Sequence, residues 1–391
     1  MIVKNRLVAV VAAAAIVAGA CSSSTATPAP TAAPTTAAPT TAATVVASAA
    51  ASMGALTPFK MDLLPGKGDV LVDTSKYAKP GPYKICFSNG FSGNSWRAMM
   101  LQSLKNFADA HKDLISDLII LDGQGDDNKQ VSDIESCIAQ KVDAIMMIAN
   151  SGTSVEPVIK KAADAGIVVA PFNLPVGGTD YTVYNGTDDC SRGTQAGKWL
   201  NTKLPSGGGI IALGGIPGND STAAAWKCAQ SALNSNIKVL AYKDANWQED
   251  NAKVVCTDLL TAYPQIDGIW SDGGQDTTGC LKAFVAAGRA LPPSTGDDYN
   301  GLLKLYLANK DANPKFDIFT LSQPTYESKL SLMQVLAVLT GSKEVYKTWL
   351  FAGGEITGAN AAQKVKTNLP DSVFVDNDLS DAQLNQIFAG Q

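Results

Sequence analysis

The sequence predicts an α/β protein made of two doubly wound parallel-sheet lobes. Three observations predict it. Short continuous apolar runs alternate with segments of helical period, the pattern of parallel strands covered on both faces. The alternation restarts near Asp188, so one chain carries two such series. The body, from about Gly68 onward, also exceeds the ~250–300 residues at which a single core stops growing.

In the first series residues 84–87 read as a strand. A helix over 96–110 follows, carrying Met99, Met100, Leu104 and Phe107 at helical spacing. Strand 118–121 leads to helix 129–140, with Val131, Ile134 and Ile138 on one face. Strand 144–149, helix 155–165 and strand 167–170 repeat the unit. The second series runs helix 189–203, strand 210–213, helix 221–234 and strand 238–242, then helix 249–262, strand 268–271 and helix 276–287.

The N-terminal segment leads to the expectation that the body lies outside the cytoplasm. Lys4 and Arg6 precede an apolar run over 7–17, closed by Ala18-Gly19-Ala20-Cys21. A basic start, a short apolar run and small residues before a cleavage point read as a secretory signal. The segment resembles a bacterial lipoprotein signal over 1–20, in which Cys21 is lipidated and becomes the new N-terminus. Ordinary secretion with a free cysteine is the plainer alternative. Residues 21–65 read as a tether, because 22–51 is almost wholly Ala, Thr, Pro and Ser and cannot bury enough apolar surface to order itself. Pro28, Pro30, Pro34 and Pro39 keep it extended.

Composition excludes several function classes. Net charge is −5 and no basic cluster appears, so nucleic acid is not an expected partner. Of 7 cysteines, those other than Cys21 are even in number, which in an exported chain suggests disulfides. Cys228–Cys256 is the expected pair, since both lie on successive helices; free buried thiols are the alternative for some of the set. No C-x-x-C occurs and His111 is the only histidine, so neither a metal site nor a cofactor is expected. His111 stands beside Lys112 as a surface residue, and the acid pairs Asp126-Asp127 and Asp188-Asp189 stand at helix N-termini, where carboxylates complement the dipole. Catalysis therefore has no constellation to rest on.

Polar residues gather where strands end. Ser88-Asn89, Asp122, Asn150, Phe172-Asn173 and Asp272 occupy these ends, beside Gly-rich turns at 90–94, 214–218 and 273–274. In open α/β sheets ligands bind beyond the carboxyl ends of strands. Singly, each such residue also reads as a helix cap.

Five stretches carry a more specific signal. They are Ile85-Cys86-Phe87-Ser88 with Asn94-Ser95-Trp96; Ile119-Ile120-Leu121-Asp122-Gly123-Gln124; Ala165-Gly166-Ile167-Val168-Val169; Asp258-Leu259-Leu260-Thr261-Ala262-Tyr263-Pro264; and Leu321-Ser322-Gln323. Over about residues 82–350 the chain resembles the ribose-binding branch of the periplasmic solute-binding proteins that serve ABC transporters. The resemblance implies two lobes joined by a three-segment hinge, with crossovers near Asn185, Gln323 and Leu350. The lobes would be 80–185 with 324–349, and 186–323 with 350–391.

Carried over by position, the ligand contacts fall on Ser88, Asn94 and Trp96, then Asn173 and Leu174, then Trp226, Trp247, Asp272 with Gly273, Asp298 and Gln323. Indole faces suit the C–H face of a sugar, and amides and carboxylates suit its hydroxyls. Three positions depart from the pattern. Asn173 stands for a usual aspartate, and Leu174 and Trp226 for usual arginines, so two forked donors are lost. Arg97 either restores one cation or is a solvated helix residue. Core packing is the alternative for all three tryptophans; Trp96 and Trp247 are placed in the cleft because both follow strand ends.

The resemblance implies a monomeric lipoprotein on the outer face of a bacterial cytoplasmic membrane. It would capture a neutral sugar or polyol and deliver it to an ABC transporter permease. A ligand-sensing lipoprotein, a binder of a less polar aromatic molecule, and an enzyme or structural lipoprotein on the same fold are the competing classes.

Overall fold

A computed structural model describes residues 56–389. The lipidation site Cys21, the signal and the Pro-rich stretch lie outside these residues. Among the described residues no helix is long and apolar enough to cross a membrane.

The first half contains β1 (Gly66–Gly68), β2 (Tyr83–Asn89), α1 (Ser95–Ala110), β3 (Ile115–Asp122) and α2 (Asp127–Ala139), then β4 (Ala144–Ile148), α3 (Gly152–Asp164), β5 (Val168–Pro171) and β6 (Tyr184–Thr187). The second contains α4 (Asp189–Lys203), β7 (Gly208–Gly214), α5 (Asp220–Ala232), β8 (Ile237–Asp244), α6 (Glu249–Ala262), β9 (Gly268–Ser271) and α7 (Gly274–Ala286). After it come β10 (Ser294–Gly296), α8 (Asn300–Asn309), β11 (Ile318–Leu321), α9 (Glu327–Leu339), β12 (Thr348–Phe351), β13 (Glu355–Thr357), α10 (Ala361–Lys364) and α11 (Asp381–Ile387). The elements beyond α7 carry too little periodicity to read from sequence alone.

One sheet runs β3-β2-β4-β5, all parallel; the other runs β13-β11-β10-β9-β7-β8, parallel except at its β13 edge. In each, the chain steps one way and then reverses, which leaves a switch point beside β2 and beside β7. Right-handed crossovers running in opposite directions place their helices on opposite faces. Thus Met99, Met100 and Leu104 of α1 pack with Ile85 and Phe87, while Ile134 of α2 and Val155 of α3 pack with Cys86 and Ile145. Likewise Ala225 and Ala229 of α5 join Ile210 and Ala212, whereas Cys256 of α6 joins Ile211 and Leu213.

The same rule corrects the expected disulfide. Cys228 on α5 and Cys256 on α6 lie on opposite faces of one sheet and cannot meet. The bonds are Cys86–Cys137, Cys190–Cys228 and Cys256–Cys280, each joining neighbours on one face.

A third, small sheet, β1-β12-β6, holds two of the expected crossovers side by side: Trp349 pairs with Asn185 and Leu350 with Gly186. Two further expectations fail. The tether is expected to reach residue 65, yet Phe59, Met61, Leu63 and Leu64 pack on the core, with Phe59 N donating to Thr340 Oγ1 at 2.8 Å. His111 is half-buried: its Nδ1 faces the Phe107 carbonyl at 2.8 Å and its ring packs on Phe59 and Phe107. The acid pairs behave as expected, Asp126 capping α2 and Asp188 capping α4.

Candidate functional site

The site forms where the two switch points face each other. In β2, side chains alternate between faces. Asn89 faces α1, where its Oδ1 accepts from Arg97 NH1 at 2.6 Å. Ser88 faces α2, where Gln130 Nε2 donates to its Oγ at 3.3 Å. Ser88, expected at the ligand, is therefore held behind the sheet by strand period.

Asn94 caps α1, its Oδ1 accepting from Arg97 N at 3.0 Å, and its side chain also lines the cleft. Trp96, in the first turn of α1, donates Nε1–H to the Gln323 carbonyl at 2.7 Å, tying the helix to the hinge. The Arg97 guanidinium lies 5.7 Å from the Trp96 ring and is buried, not solvated. Burial pulls its pKa down to about 10, with Glu327 and Asp122 opposing, so it stays charged at neutral pH.

Trp247 comes from the other lobe. It follows Asn246, and both residues are left-handed (φ 51° and 62°), a conformation costing roughly 1–3 kcal/mol per residue and typical of ligand clamps. The indole lies against Gly215 and Gly273; a Cβ on Gly215 would run into the ring. These turns thus make room for an aromatic side chain. Asp272 directly follows β9 and accepts from Thr222 Oγ1 at 2.6 Å. Asp297 accepts from Gly274 N at 2.6 Å, and burial pushes its pKa up to about 7.

The hinge supplies the third side. Gln323, with its amide assigned from its neighbours, accepts from both terminal nitrogens of Arg192 at 2.6 and 2.9 Å. Asn173 (φ 63°) donates Nδ2–H to Glu327 Oε2 at 2.7 Å. Burial raises Glu327 to about 8 despite that bond. Arg192 is itself buried, beside Asp189 at 3.3 Å.

The structure brings Asn94, Trp96 and Arg97 together with Asn173, Leu174 and Gln323, and faces them with Trp247 and Asp272. About 430 Å³ lies between them, open mouth included. Gln248 Nε2 donates to the Gly93 carbonyl at 2.6 Å, joining the two lobes across the mouth.

Besides Ser88, two expected residues do not line this cleft. Trp226 packs on Trp270 and Tyr242, with ring centroids 4.7 and 5.8 Å away, because only the first turn of α5 (Ser221, Thr222) reaches the strand ends. Asp298 turns away from the cleft, where its Oδ2 accepts from Asp376 N at 2.6 Å; its neighbour Asp297 lines the wall instead.

Sequence reasoning missed Ser221, Gln275, Asp297 and Phe374, which line the cleft, and Arg192 and Glu327, which support it. Arg192 carried a readable signal. A cation in the first turn of a helix opposes the dipole and so implies a specific acidic or carbonyl partner. Phe374 carried none, since it lies in an irregular stretch.

A family model for the periplasmic binding protein domain matches residues 85–343, more than half of the chain. The chain belongs to that family. Within the periplasmic binding proteins, it is 24% identical over 236 residues to the ribose import binding protein of Bacillus subtilis (strain 168), a match covering 59% of this chain and 74% of that protein. It is 29% identical over 185 residues to a xylitol-binding protein of Mycolicibacterium smegmatis, covering 46% of this chain and only 53% of that protein. A solved ABC transporter solute-binding protein from Thermobispora bispora superposes with TM-score 0.68 at 22% identity, covering 78% of this chain and 94% of that one.

The electrostatics of this periplasmic binding protein cleft are mixed. Asp272, Asp276, Asp297 and Glu327 are buried acids, each raised chiefly by desolvation. Arg97 and Arg192 are the buried cations among them. Among the described residues, no group of His, Cys, Asp or Glu could hold a metal ion.

Proposed function

We propose that the chain captures a small neutral sugar or polyol in the interlobe cleft, outside the cytoplasm, and delivers it to an ABC transporter permease. The observation that carries this reading is the pairing of two indoles from opposite lobes with carboxylates and amides in one cleft. Stacking holds the C–H face of such a ligand, and Asp272, Asp297, Asn94 and Asn173 suit its hydroxyls. The ribose- and xylitol-binding relatives are consistent with this class.

Two cations stand at the site nonetheless: Arg97 lines the cleft and Arg192 donates to the Gln323 side chain. Both already face protein carboxylates or carbonyls, so a neutral ligand remains the better fit than an anionic one.

A thermal-shift and calorimetric screen over pentoses, hexoses, polyols and small aromatics tests the reading. A sugar or polyol that binds only the folded state raises the melting temperature. Stabilisation by aromatics alone, or by nothing in the panel, would sink it. The membrane anchor rests on Cys21, and Cys21→Ser should release the protein from the membrane fraction. Unchanged fractionation would exclude lipidation as the anchor.

A further inference from the structure

The chain beyond residue 370 does not stay with the second lobe, where 350–391 is expected to lie. Asn300 N donates to the Val373 carbonyl at 2.8 Å, and Val375 N to the Asp298 carbonyl at 3.1 Å, which holds the segment to the second lobe. Phe374 N then donates to Met99 Sδ at 3.5 Å, and Gln383 Nε2 to Asn106 Oδ1 at 3.1 Å, both on α1 of the first lobe. The Asp376 carboxylate accepts from Ser322 Oγ at 2.6 Å and from Tyr326 OH at 3.2 Å, on either side of Gln323. Residues 371–388 therefore form a strap fastened to both lobes and to the hinge. It lies wholly beyond the residues matched by the family model.

The strap delivers one side chain to the cleft. Phe374 lines it, fully buried, with its ring edge-on to Tyr299 at 5.5 Å. Asp298, held to Asp376 N, locks the backbone two residues further on. A ring fixed from both sides cannot swing away to admit a longer ligand.

We infer that Phe374 is a specificity-determining residue that limits the size of ligand on which the cleft can close. The inference rests on the sugar-or-polyol reading above. One methylene more or less in a tight apolar pocket changes binding by roughly 10–200-fold, and the carbon of an added CHOH unit meets the same steric limit at the ring. Shortening Phe374 opens space for about one such unit on the strap side.

The test is calorimetric titration of the parent, Phe374→Leu and Phe374→Ala with xylitol and sorbitol, polyols that differ by one carbon unit. A cooperative melt checks folding, and the leucine variant carries the test if the alanine variant does not fold. The expected result is a shift of the sorbitol-to-xylitol affinity ratio by about tenfold or more toward sorbitol. If the parent binds and the ratio is unchanged in the variants, Phe374 is a packing residue and the inference fails alone. If the parent binds neither these polyols nor any member of the screen, the ligand reading fails and the inference falls with it.

Discussion

At the scale of the residue, the site turns on two tryptophans and a few buried carboxylates. Trp96 and Trp247 come from opposite lobes and enclose the cleft. A central aromatic truncated to alanine commonly costs ~2 kcal/mol of binding, about thirtyfold in affinity. Trp96→Ala and Trp247→Ala should each show a loss of that order by titration with a ligand from the screen; parent-like affinity in both folded variants would make these rings core alone. Trp96→Phe should lose less, because it keeps the stacking face and gives up the bond to the Gln323 carbonyl. The carboxylates give a pH signature. Asp297 rises from 3.8 to about 7 on folding, and Glu327 from 4.5 to about 8. Between those values the folded state holds more protons than the unfolded one, so stability falls as pH rises. The ligand-free melting temperature should drop from pH 5 to pH 8, and Asp297→Asn should flatten the slope. A melting temperature that climbs over this interval would contradict the burial assigned to these acids.

At the scale of the element, each cleft residue is set by where a strand stops and a helix begins. Asn94 at the start of α1 and Ser221 at the start of α5 both lie at first turns, and residues one or two turns later, such as Trp226, pack on the sheet. Alternation in β2 sends Asn89 forward and Ser88 back. The pairing of α4 with α5 is reinforced by Cys190–Cys228, a loop of sequence separation 38. Closing a loop of that length in the unfolded chain stabilises by about 3–4 kcal/mol in the chain-entropy view. The double variant Cys190→Ser with Cys228→Ser should therefore melt several degrees lower while keeping its ligand affinity, since neither sulfur faces the cleft. Undiminished thermal stability would show that the bond constrains little.

At the scale of the whole binding body, the proposed capture would depend on hinged closure. Gln248 Nε2 donates to the Gly93 carbonyl across the mouth. With a confirmed ligand, small-angle scattering should show a smaller radius of gyration than without it. Equal radii would argue against a hinged receptor. Gln248→Ala removes about 1 kcal/mol from the closed state only, so affinity should fall about fivefold with little change in melting temperature. A full-strength affinity in that variant would place the closing energy elsewhere, in the ligand and the strap.

The sequence by itself determined the two series of strands and helices, because apolar periodicity is local and survives without the fold. It also led to the expectation that Trp96, Trp247, Asn173 and Gln323 share one cleft, since each sits at a strand end or hinge position of a family pattern, and these four do line one cleft. Only the tertiary structure decided the rest. Which cysteines pair depends on which face of a sheet each helix covers, a consequence of crossover direction. Whether Ser88 or Asn89, and Asp297 or Asp298, turns toward the cleft depends on a one-residue phase that composition cannot fix. Arg192, Glu327 and Phe374 reach the site across long stretches of chain, from α4, α9 and the strap. Such contacts form only once loop closure has brought distant segments together, and no local pattern in the sequence records them.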